Sequence, residues 1–389
     1  MKILFCSHTA LTKELGAPKV LMELAEALRE ISCDCTLLGP AELKSDTYVD
    51  RAYKGESYNQ ALRDYLREHA DRYDVVDYGH EYLPYPRSEF PRRPLFVARS
   101  VLLVHHLQTI RIPVTPTLRS ALGRLIYGKA RMTERDGRVE RATKTVQAAD
   151  LVNVSNHDDQ AELLRRGIPA GKIAVIPFGL TRERRLLFEA TQNASPASKN
   201  PNLIIAFVGT FDPRKGAVEF PNIVRNVVER VPSARFRLFG TNGHFPTKDS
   251  VVNYFPRGIR QFIEVIPRFR HEELPELLAS CSMGIFPSYI EGFPFGVLEM
   301  LAASLPVVSY NAPGQTMMLP REYLVKRGDV VALCSKLIEL LSDQEKLAQA
   351  RLRAKEIANQ FGWEKAAEAT VNIYKQCLEH RTIALSASK

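Results

Sequence analysis

Short apolar runs alternate with amphipathic segments from the start of the chain. Residues 2–7, Lys-Ile-Leu-Phe-Cys-Ser, have the length of a strand, and residues 18–30 then repeat apolar positions at helical spacing. Such alternation is typical of a parallel sheet covered by helices on both faces. The strands predicted in this first series are residues 2–7, 35–38, 74–76, 95–98, 151–154 and 173–176.

The alternation is interrupted once and then begins again. Residues 189–202 are rich in Thr, Gln, Asn, Ser, Pro and Lys and have almost no large apolar residue, which predicts a surface linker. The strands predicted after it are residues 203–208, 235–239, 259–265, 284–287 and 306–309. The helices predicted after it are residues 216–230, 274–279, 295–303, 330–342, 343–360 and 363–380.

This organisation predicts an α/β protein of two doubly wound domains in tandem. The first domain is expected over residues 1–188 and the second over residues 203–360. The closing segment, residues 361–389, is expected to form a helix that packs back on the first domain.

The excess of 53 Lys and Arg over 44 Asp and Glu, a net charge of +9, is concentrated in one stretch. Between Tyr82 and Arg131 there are nine basic residues and one acidic residue, Glu89. Such a stretch fits an anionic partner such as a phosphate, a nucleic acid or an acidic membrane surface, and it also fits a solvated basic face.

A helix within this stretch leaves the same choice open. Its apolar positions beside cations suit a helix lying on an anionic membrane, and they equally suit a helix that buries its leucines in the first domain. The apolar positions are Leu118, Leu122, Leu125 and Ile126, and the cations are Arg119, Arg124, Lys129 and Arg131.

The apolar runs are short throughout the chain. None approaches the ~20 residues that cross a bilayer, and Ile3–Cys6 is shorter than the ~7–15 residues of a signal peptide. The six cysteines show no C-x-x-C pair and no zinc-finger spacing, so we expect buried, reduced thiols. We therefore predict a cytoplasmic protein.

The most informative segment is residues 287–299, Pro-Ser-Tyr-Ile-Glu-Gly-Phe-Pro-Phe-Gly-Val-Leu-Glu. A strand ends at Phe286, a loop with two glycines follows, and a helix starts near Phe295. Loops at the carboxyl ends of parallel strands bind ligands in open α/β sheets, and amides at a helix start hold anions or sugar hydroxyls. Glu291 and Glu299 supply two acceptors at a fixed spacing, which suits polyols such as ribose and hexose.

This segment resembles the E-x7-E signature of the retaining GT-B glycosyltransferases of family 4, in its E-G-F-P variant. The following Leu-Pro-Val-Val fits the same pattern, and more diffuse similarity extends from Lys2 to about Tyr374. The resemblance implies the GT-B architecture, two Rossmann-like domains facing each other across a cleft. It also implies sugar transfer with retained anomeric configuration. The alternative is that Glu291 is only a helix cap and Glu299 a solvated helix residue.

Residues 207–216, Phe-Val-Gly-Thr-Phe-Asp-Pro-Arg-Lys-Gly, follow the first strand of the second domain. A Lys beside an Arg at this position can neutralise a diphosphate leaving group. The segment resembles the family's G-R-x-x-x-x-K-G phosphate loop, with Thr210 in place of the usual Arg. Lys215 is then the main catalytic cation, and Arg214 is expected to replace the missing Arg. The residues that the resemblance places at the donor are Gly209, Thr210, Arg268, Glu291, Gly292, Phe293, Phe295, Gly296, Val297 and Glu299.

In the first domain the resemblance points to two short segments. His105 and His106 lie about where the family presents a histidine to the donor sugar, and a catalytic role is open for either. Gly16 and Ala17 belong to a loop similar to the family's first glycine-containing loop, which lies near the donor phosphate or the acceptor.

Competing functions lack their own motifs. No G-x-G-x-x-G follows residues 2–7 or 203–208, as a dinucleotide-dependent oxidoreductase would need, and no G-x-x-x-x-G-K-[ST] is present. Sugar epimerases and phosphorylases share the two-domain layout. Because Thr210 replaces the family's usual Arg, a non-catalytic protein that only binds a nucleotide sugar is also an alternative.

We therefore predict a glycosyltransferase that moves a hexose-like sugar from a nucleotide diphosphate sugar, UDP- or GDP-linked, to a hydroxyl of a glycan, a lipid or a small molecule. No D-x-D or dense Asp cluster is present, and we expect neither a metal nor a permanently bound cofactor. The anionic partners are then the donor and, if the basic stretch meets it, the inner face of the membrane. No nucleic-acid partner is expected.

Overall fold

The computed structural model describes residues 1–13, 16–43, 55–114, 118–194 and 203–387, with the backbone alone at 55–57, 118–131 and 382–387. The chain forms two compact units. Unit 1 comprises Met1–Thr109, Leu125–Phe178 and Gly362–Lys389, and unit 2 comprises Ile110–Arg124 and Gly179–Phe361.

Strands and helices alternate through both units. The strands are β1 (Lys2–Cys6), β2 (Asp34–Leu38), β3 (Val75–Gly79), β4 (Leu95–Arg99), β5 (Leu151–Val154), β6 (Ile173–Val175), β7 (Leu203–Val208), β8 (Ala234–Phe239), β9 (Ile263–Ile266), β10 (Met283–Phe286), β11 (Val307–Tyr310) and β12 (Leu324–Val325). The helices are α1 (Gly16–Glu30), α2 (Gly55–His69), α3 (Leu118–Ala148), α4 (His157–Arg165), α5 (Arg182–Ala194), α6 (Phe220–Arg230), α7 (Lys248–Tyr254), α8 (Leu274–Ala279), α9 (Phe295–Ala302), α10 (Val330–Ser342), α11 (Gln344–Ala358) and α12 (Trp363–Ala387).

The sheet of unit 1 is parallel and has the strand order β2-β1-β3-β4-β5-β6. The inner strands β1, β3, β4 and β5 are buried along almost their whole length, as in β1, where every residue after Lys2 is buried. The order changes direction between β1 and β3, because β2 lies on one side of β1 and all later strands lie on the other. Such a reversal places the loops after β1 and β3 beside a crevice.

The final helix, α12, belongs to unit 1 and packs against α1. A buried polar network also ties it to the sheet: Tyr374 Oη donates to Asp77 Oδ2 at 2.5 Å, and Arg99 Nη2 donates to the same carboxylate oxygen at 2.7 Å. Asn153 donates to the Tyr374 oxygen at 3.2 Å. Because all of these side chains are buried, the network fixes the helix against β3, β4 and β5.

The sheet of unit 2 is also parallel, in the order β12-β11-β10-β7-β8-β9. Its first strand, β7, lies in the middle: β8 pairs with one edge along its whole length, and β10 pairs with the other edge. The strand order therefore reverses between β7 and β10. The predicted α/β class with two doubly wound sheets is confirmed.

The boundary between the units differs from the predicted one. It lies at Phe178 rather than at residue 188, because α5 packs on α8 and α9 within unit 2 and buries Phe188 there. Residues 189–194, predicted as linker, are the second half of this helix, whereas 195–202 lie outside the described residues.

Other differences concern single elements. The strand predicted over residues 259–265 is a 3₁₀ turn, Arg257–Phe262, followed by β9. The pattern also missed α2, α7 and the two-residue β12, which is too short to leave a periodic signal. Among the described residues, no helix is both long enough and apolar enough to cross a membrane.

Candidate functional site

The candidate site of unit 2 lies where the carboxyl ends of β7 and β10 meet. Because these strands are neighbours, the turn after β7 and the loop after β10 leave the sheet side by side. The turn, residues 209–216, and the loop, residues 287–294, are the two segments that the sequence singled out. Their juxtaposition follows from the reversal of strand order at this point.

Glu291 joins the two segments. Its Oε1 accepts from Lys215 Nζ at 2.8 Å, from Arg214 Nη1 at 3.0 Å and from Ser288 Oγ at 2.7 Å. Arg214 Nη1 also donates to the Ile290 carbonyl at 2.9 Å. The two predicted catalytic cations and one predicted donor-binding carboxylate are therefore brought together.

The electrostatics of this cluster favour an anionic ligand. Burial would raise the pKa of Glu291, but the charges of Arg214 and Lys215 and the hydrogen bonds from Lys215 and Ser288 bring it down to about 2. The carboxylate is therefore ionised at neutral pH. The three side chains of Lys215, Arg214 and Glu291 have a formal net charge of +1, and the carboxylate of Asp212, in the same turn, also interacts with Arg214.

Three glycines allow the turn after β7, the loop after β10 and the start of α9 to pack closely against one another. Gly209 and Gly216 have φ of +151° and +83°, and a Cβ on Gly216 would lie 2.5 Å from the Pro287 carbonyl oxygen. A Cβ on Gly296 would lie 2.2 Å from the Val208 carbonyl oxygen, so the start of α9 packs directly on the end of β7. The first amides of α9 therefore lie beside the turn that carries Lys215.

Thr210, which stands where the family usually has Arg, hydrogen-bonds within its own turn. Thr210 Oγ1 donates to Asp212 Oδ2 at 2.7 Å, and Asp212 Oδ1 accepts from the Lys215 amide at 3.1 Å, capping the short 3₁₀ turn. Thr210 therefore stabilises the turn instead of adding a charge. Arg214, four residues later, carries the second cation to Glu291.

The remaining residues of the loop shape its surroundings. Phe293 is 5% exposed and packs edge-on against Phe295, with ring centroids 4.9 Å apart. A Cβ on Gly314 would lie 2.6 Å from the Gly292 carbonyl oxygen, so a second turn presses on the loop. Val297 is fully buried in the core behind α9.

Glu299 lies apart from this cluster and has its own cation. Arg184 Nη2 donates to Glu299 Oε1 at 2.8 Å, while its Nη1 donates to the His271 carbonyl at 2.8 Å. Both side chains are buried, so the second glutamate of the signature is held by an arginine of α5. No motif or local pattern pointed to Arg184.

Arg268, Gly16 and Ala17 are placed elsewhere. Arg268 is exposed after the end of β9, beside Asn242. Gly16 and Ala17 are the first residues of α1, in unit 1, where Gly16 is exposed. A Cβ on Gly16 would meet no atom within 4 Å.

Unit 1 has its own cluster of polar side chains where its strand order reverses. His8 follows β1 and stacks on Tyr82, with ring centroids 4.0 Å apart, and His80 and Glu81 follow β3. Burial lowers the pKa of His8 to about 4 and also lowers the pKa of His80. Arg138 holds Glu81 with two hydrogen bonds, at 2.9 and 3.0 Å.

His105 and His106 lie in a 3₁₀ turn of unit 1, Val104–Gln108, and both are buried. His105 Nε2 lies 3.1 Å from Thr143 Oγ1, and within the described part of the chain its buried Nδ1 has no hydrogen-bond partner. Burial and the nearby positive groups lower its pKa to about 3. His106 Nε2 instead lies 2.8 Å from Asp159 Oδ1.

The two histidines differ in their hydrogen bonds. His106 is committed to the carboxylate of Asp159, whose pKa is raised by burial, whereas His105 keeps one ring nitrogen unused. His80 lies near His105, with ring centroids 6.4 Å apart. Sequence reasoning missed His80 and Glu81, because the strand was predicted to end at residue 76, whereas β3 extends to Gly79 and both residues follow it directly.

Among the described residues, no group of three or more His, Cys, Asp and Glu side chains is placed to hold a metal ion.

Comparison with known proteins agrees with this site. Residues 202–343, which contain both segments, match the family of glycosyl transferases group 1. The chain is 24% identical to the D-inositol 3-phosphate glycosyltransferase of Nocardiopsis dassonvillei over 278 residues, which are 66% of this chain and 62% of that protein. For two other curated relatives the chain covers 47% and 45% of their length.

Solved structures match nearly the whole chain. Sucrose-phosphate synthase from Thermosynechococcus elongatus has a TM-score of 0.73 at 18% identity, covering 97% of this chain and 99% of that one. Anabaena HepE in complex with UDP-glucose has a TM-score of 0.64 at 16% identity, covering 98% and 99%. Residues 202–343 therefore resemble the glycosyl transferases group 1 family, and the two parallel α/β sheets of the chain match the GT-B fold of the solved structures.

Proposed function

We propose that this protein transfers a sugar from a nucleotide diphosphate sugar to an acceptor hydroxyl, with retention of the anomeric configuration. The observation that carries the proposal is the ion cluster of Lys215, Arg214 and Glu291 at the joined ends of β7 and β10. The match of residues 202–343 to the group 1 family supports it. The bound UDP-glucose of Anabaena HepE supports a UDP-linked donor, and a GDP-linked donor is the alternative.

Unit 2 is proposed to bind the donor. Its diphosphate would meet the net positive charge of the cluster and the first amides of α9. When the bond to the sugar breaks, negative charge develops on the diphosphate, and Lys215 and Arg214 stabilise that charge. Because two protein cations are available for this purpose, we propose that turnover needs no metal and is unchanged by EDTA.

Glu299 is proposed to hold the donor ribose. Arg184 occupies its Oε1 at 2.8 Å, so the ribose hydroxyls would bind the remaining lone pairs of the carboxylate. Arg268, after β9, is proposed to lie near the nucleobase.

Unit 1 is proposed to contribute a histidine and the acceptor site. His105 is the better candidate for the sugar contact, because its Nδ1 is unused whereas His106 is paired with Asp159. The acceptor is a hydroxyl-bearing glycan, lipid or small molecule, and the pathway is the synthesis of a glycan, glycolipid, lipopolysaccharide or glycosylated metabolite, in the cytoplasm.

Membrane contact is proposed through α3. The helix is formed, but the side chains predicted to touch lipid, from Leu118 to Arg131, lie outside the described side chains. Co-sedimentation with anionic vesicles should fall with salt, since exposed charges are screened within ~8 Å at 0.15 M. Changing Arg119, Arg124 and Arg131 to Glu should abolish it. Vesicle binding that these changes leave unaltered would favour a helix whose leucines are buried within the protein, and a soluble acceptor.

The donor site is tested by a thermal-shift screen of nucleotide sugars. A ligand at ~100 times its dissociation constant adds about 2.7 kcal/mol of stability, which a melting curve resolves readily. UDP and GDP should each be compared with the matching nucleoside, which lacks the diphosphate. A shift with the nucleotide but not with the nucleoside supports the cationic cluster as the diphosphate site.

Transfer itself is measured with the donor that gives the largest shift. Release of UDP or GDP that depends on an added acceptor supports the proposal, and the anomeric configuration of the product is read by NMR. Tight binding without turnover would instead identify a non-catalytic nucleotide-sugar-binding protein. Conversion of the donor sugar without an acceptor would identify an epimerase.

A further inference from the structure

Behind the cationic cluster of unit 2 lies a second polar cluster that donor binding does not explain. It consists of Glu219, Tyr289 and Tyr310. Both tyrosine hydroxyls donate to the Glu219 carboxylate, Tyr289 to Oε1 and Tyr310 to Oε2, the latter at 2.6 Å. The two rings pack edge to face with centroids 5.5 Å apart. Tyr310 is fully buried and Tyr289 is 7% exposed, so water competes little for these hydrogen bonds.

Glu219 is the N-cap residue of α6, yet its side chain makes no capping hydrogen bond. Burial raises its pKa, and the two hydroxyls offset part of that cost by donating to the charged carboxylate. The carboxylate is therefore committed to the tyrosines rather than to its own helix.

The two tyrosines belong to different elements. Tyr310 is the last residue of β11, a fixed part of the sheet. Tyr289 belongs to the loop after β10, two residues before Glu291. Glu219 therefore links the site loop to the sheet framework through one carboxylate.

Three separate contacts connect the site loop to the turn after β7 and to the start of α6. Lys215 and Arg214 reach Glu291, and Glu219, four residues after Lys215, accepts from Tyr289. The Tyr289 amide also donates to the Arg214 carbonyl at 2.8 Å. A displacement of Tyr289 would therefore move the loop that carries Glu291 relative to the turn that carries both cations.

We propose that Glu219 is a positioning residue: through Tyr289 it sets the placement of Glu291 against Lys215 and Arg214. The proposal rests on the proposed function of this site in nucleotide-sugar binding. Charge stabilisation of a diphosphate depends on groups held in place before the ligand arrives. Loss of the carboxylate removes the side-chain contact between Glu219 and the loop, and an amide in its place can accept from only one of the two buried hydroxyls.

The test compares UDP affinity by calorimetry in Glu219→Gln, Tyr289→Phe and Tyr310→Phe, with Glu229→Gln, an exposed site on the same helix, as the matched control. We expect Glu219→Gln and Tyr289→Phe to raise the dissociation constant about tenfold, equivalent to ~1.4 kcal/mol. Tyr310→Phe leaves the loop tie in place and should have a smaller effect. The control should bind as the wild type does.

The double variant Glu219→Gln/Tyr289→Phe tests whether Glu219 acts on the site through Tyr289. If Glu219 acts through Tyr289, the double variant binds UDP no more weakly than either single variant. The donor KM should follow the dissociation constant. A variant that is only less stable has fewer folded molecules but an unchanged KM, so this readout separates positioning from a loss of stability. UDP affinity of Glu219→Gln within twofold of the wild type overturns the proposal, as do additive effects in the double variant.

Hydrogen exchange of the loop amides distinguishes a failure of this proposal from a failure of the proposed function. Amides of residues 287–294 should exchange faster in Glu219→Gln and Tyr289→Phe, while those of β10 remain unchanged. If the wild type binds no nucleotide, the proposed function fails, and faster exchange still supports the anchoring of the loop by Glu219. Unchanged exchange in that case overturns the anchoring as well.

Discussion

Replacing Lys215 by Met removes one charge from the candidate site and leaves most of its packing. The Lys215 side chain is 13% exposed, and its Cδ would lie 3.2 Å from a Cβ placed on Gly209. A Met side chain can therefore keep the packing of the Lys215 stem against Gly209. Arg214 remains 3.0 Å from Glu291. The net charge of the cluster therefore falls from +1 to zero without loss of the remaining ion pair.

The expected loss follows from Coulomb's law. A unit positive charge about 5 Å from the charge that develops on the diphosphate, at an effective dielectric constant of about 20, contributes about 3 kcal/mol. This corresponds to a fall in kcat of roughly 10²-fold. Since the interaction grows as the sugar–oxygen bond breaks, kcat should fall more than the donor KM rises.

Steady-state transfer with saturating acceptor measures both constants. Lys215→Arg keeps the charge and should recover part of kcat, and Lys248→Met, at an exposed position of α7, serves as the matched control. Circular dichroism and the melting temperature establish that the variants are folded. A folded Lys215→Met enzyme with wild-type kcat would refute the assignment of this turn to the leaving group.

Three further predictions concern stability and the shape of the site. Because the pKa of Glu291 lies at about 2 instead of the ordinary 4.5, its stabilising contribution is complete above pH 4.5 and is lost as the pH falls towards 2. Urea unfolding should therefore give wild type and Glu291→Gln free energies that converge by about 2 kcal/mol between pH 6 and pH 3. Gly296→Ala places a Cβ 2.2 Å from the Val208 carbonyl oxygen and should cost about 1–3 kcal/mol in thermal unfolding and weaken UDP binding. Tyr374→Phe leaves the buried Asp77 without its hydroxyl donor and should cost about 1–3 kcal/mol in urea unfolding.

Two of these predictions have a control variant within the chain. Glu229→Gln, at an exposed site, should show no such pH dependence. Gly258→Ala adds a Cβ with no atom within 4 Å and should be nearly neutral. A constant difference between wild type and Glu291→Gln over this pH range would contradict the ion cluster, and wild-type stability of Tyr374→Phe would contradict the buried network.

The elements of the sheets were predictable because burial on both faces makes parallel strands continuously apolar. β7 is apolar at all six positions and was predicted with the bounds that it has. The turn and loop of the site could also be located, because each follows such a strand and contains glycines at positions that tolerate no side chain, such as Gly216 and Gly296. The local pattern, together with the resemblance of both segments to glycosyltransferase motifs, therefore located the residues of the cationic cluster.

The partners of the site residues could not be predicted in this way. Arg184 reaches Glu299 from 115 positions away, and Glu219 joins Tyr289 and Tyr310 across 70 and 91 positions. A single sequence carries no periodic signal for such pairs, because each depends on the packing of whole elements. The boundary of unit 2 was missed for the same reason: the polar second half of α5 has the composition of a linker and is helical because the helix packs on α8 and α9.

The protonation states of the two units differ in a way that suits different parts of one reaction. In unit 2, Lys215 and Arg214 leave a positive charge that the ionised Glu291 only half neutralises, which suits a diphosphate. In unit 1, burial lowers the pKa of His8 to about 4 and of His105 to about 3, so both imidazoles are neutral at pH 7. A neutral imidazole can both donate and accept a hydrogen bond, as a sugar hydroxyl requires, and it adds no charge that would compete for the diphosphate. Transfer activity should therefore show no titration of these histidines between pH 6 and pH 8, and a pH profile with an imidazole pKa near 7 would place a different residue at the sugar.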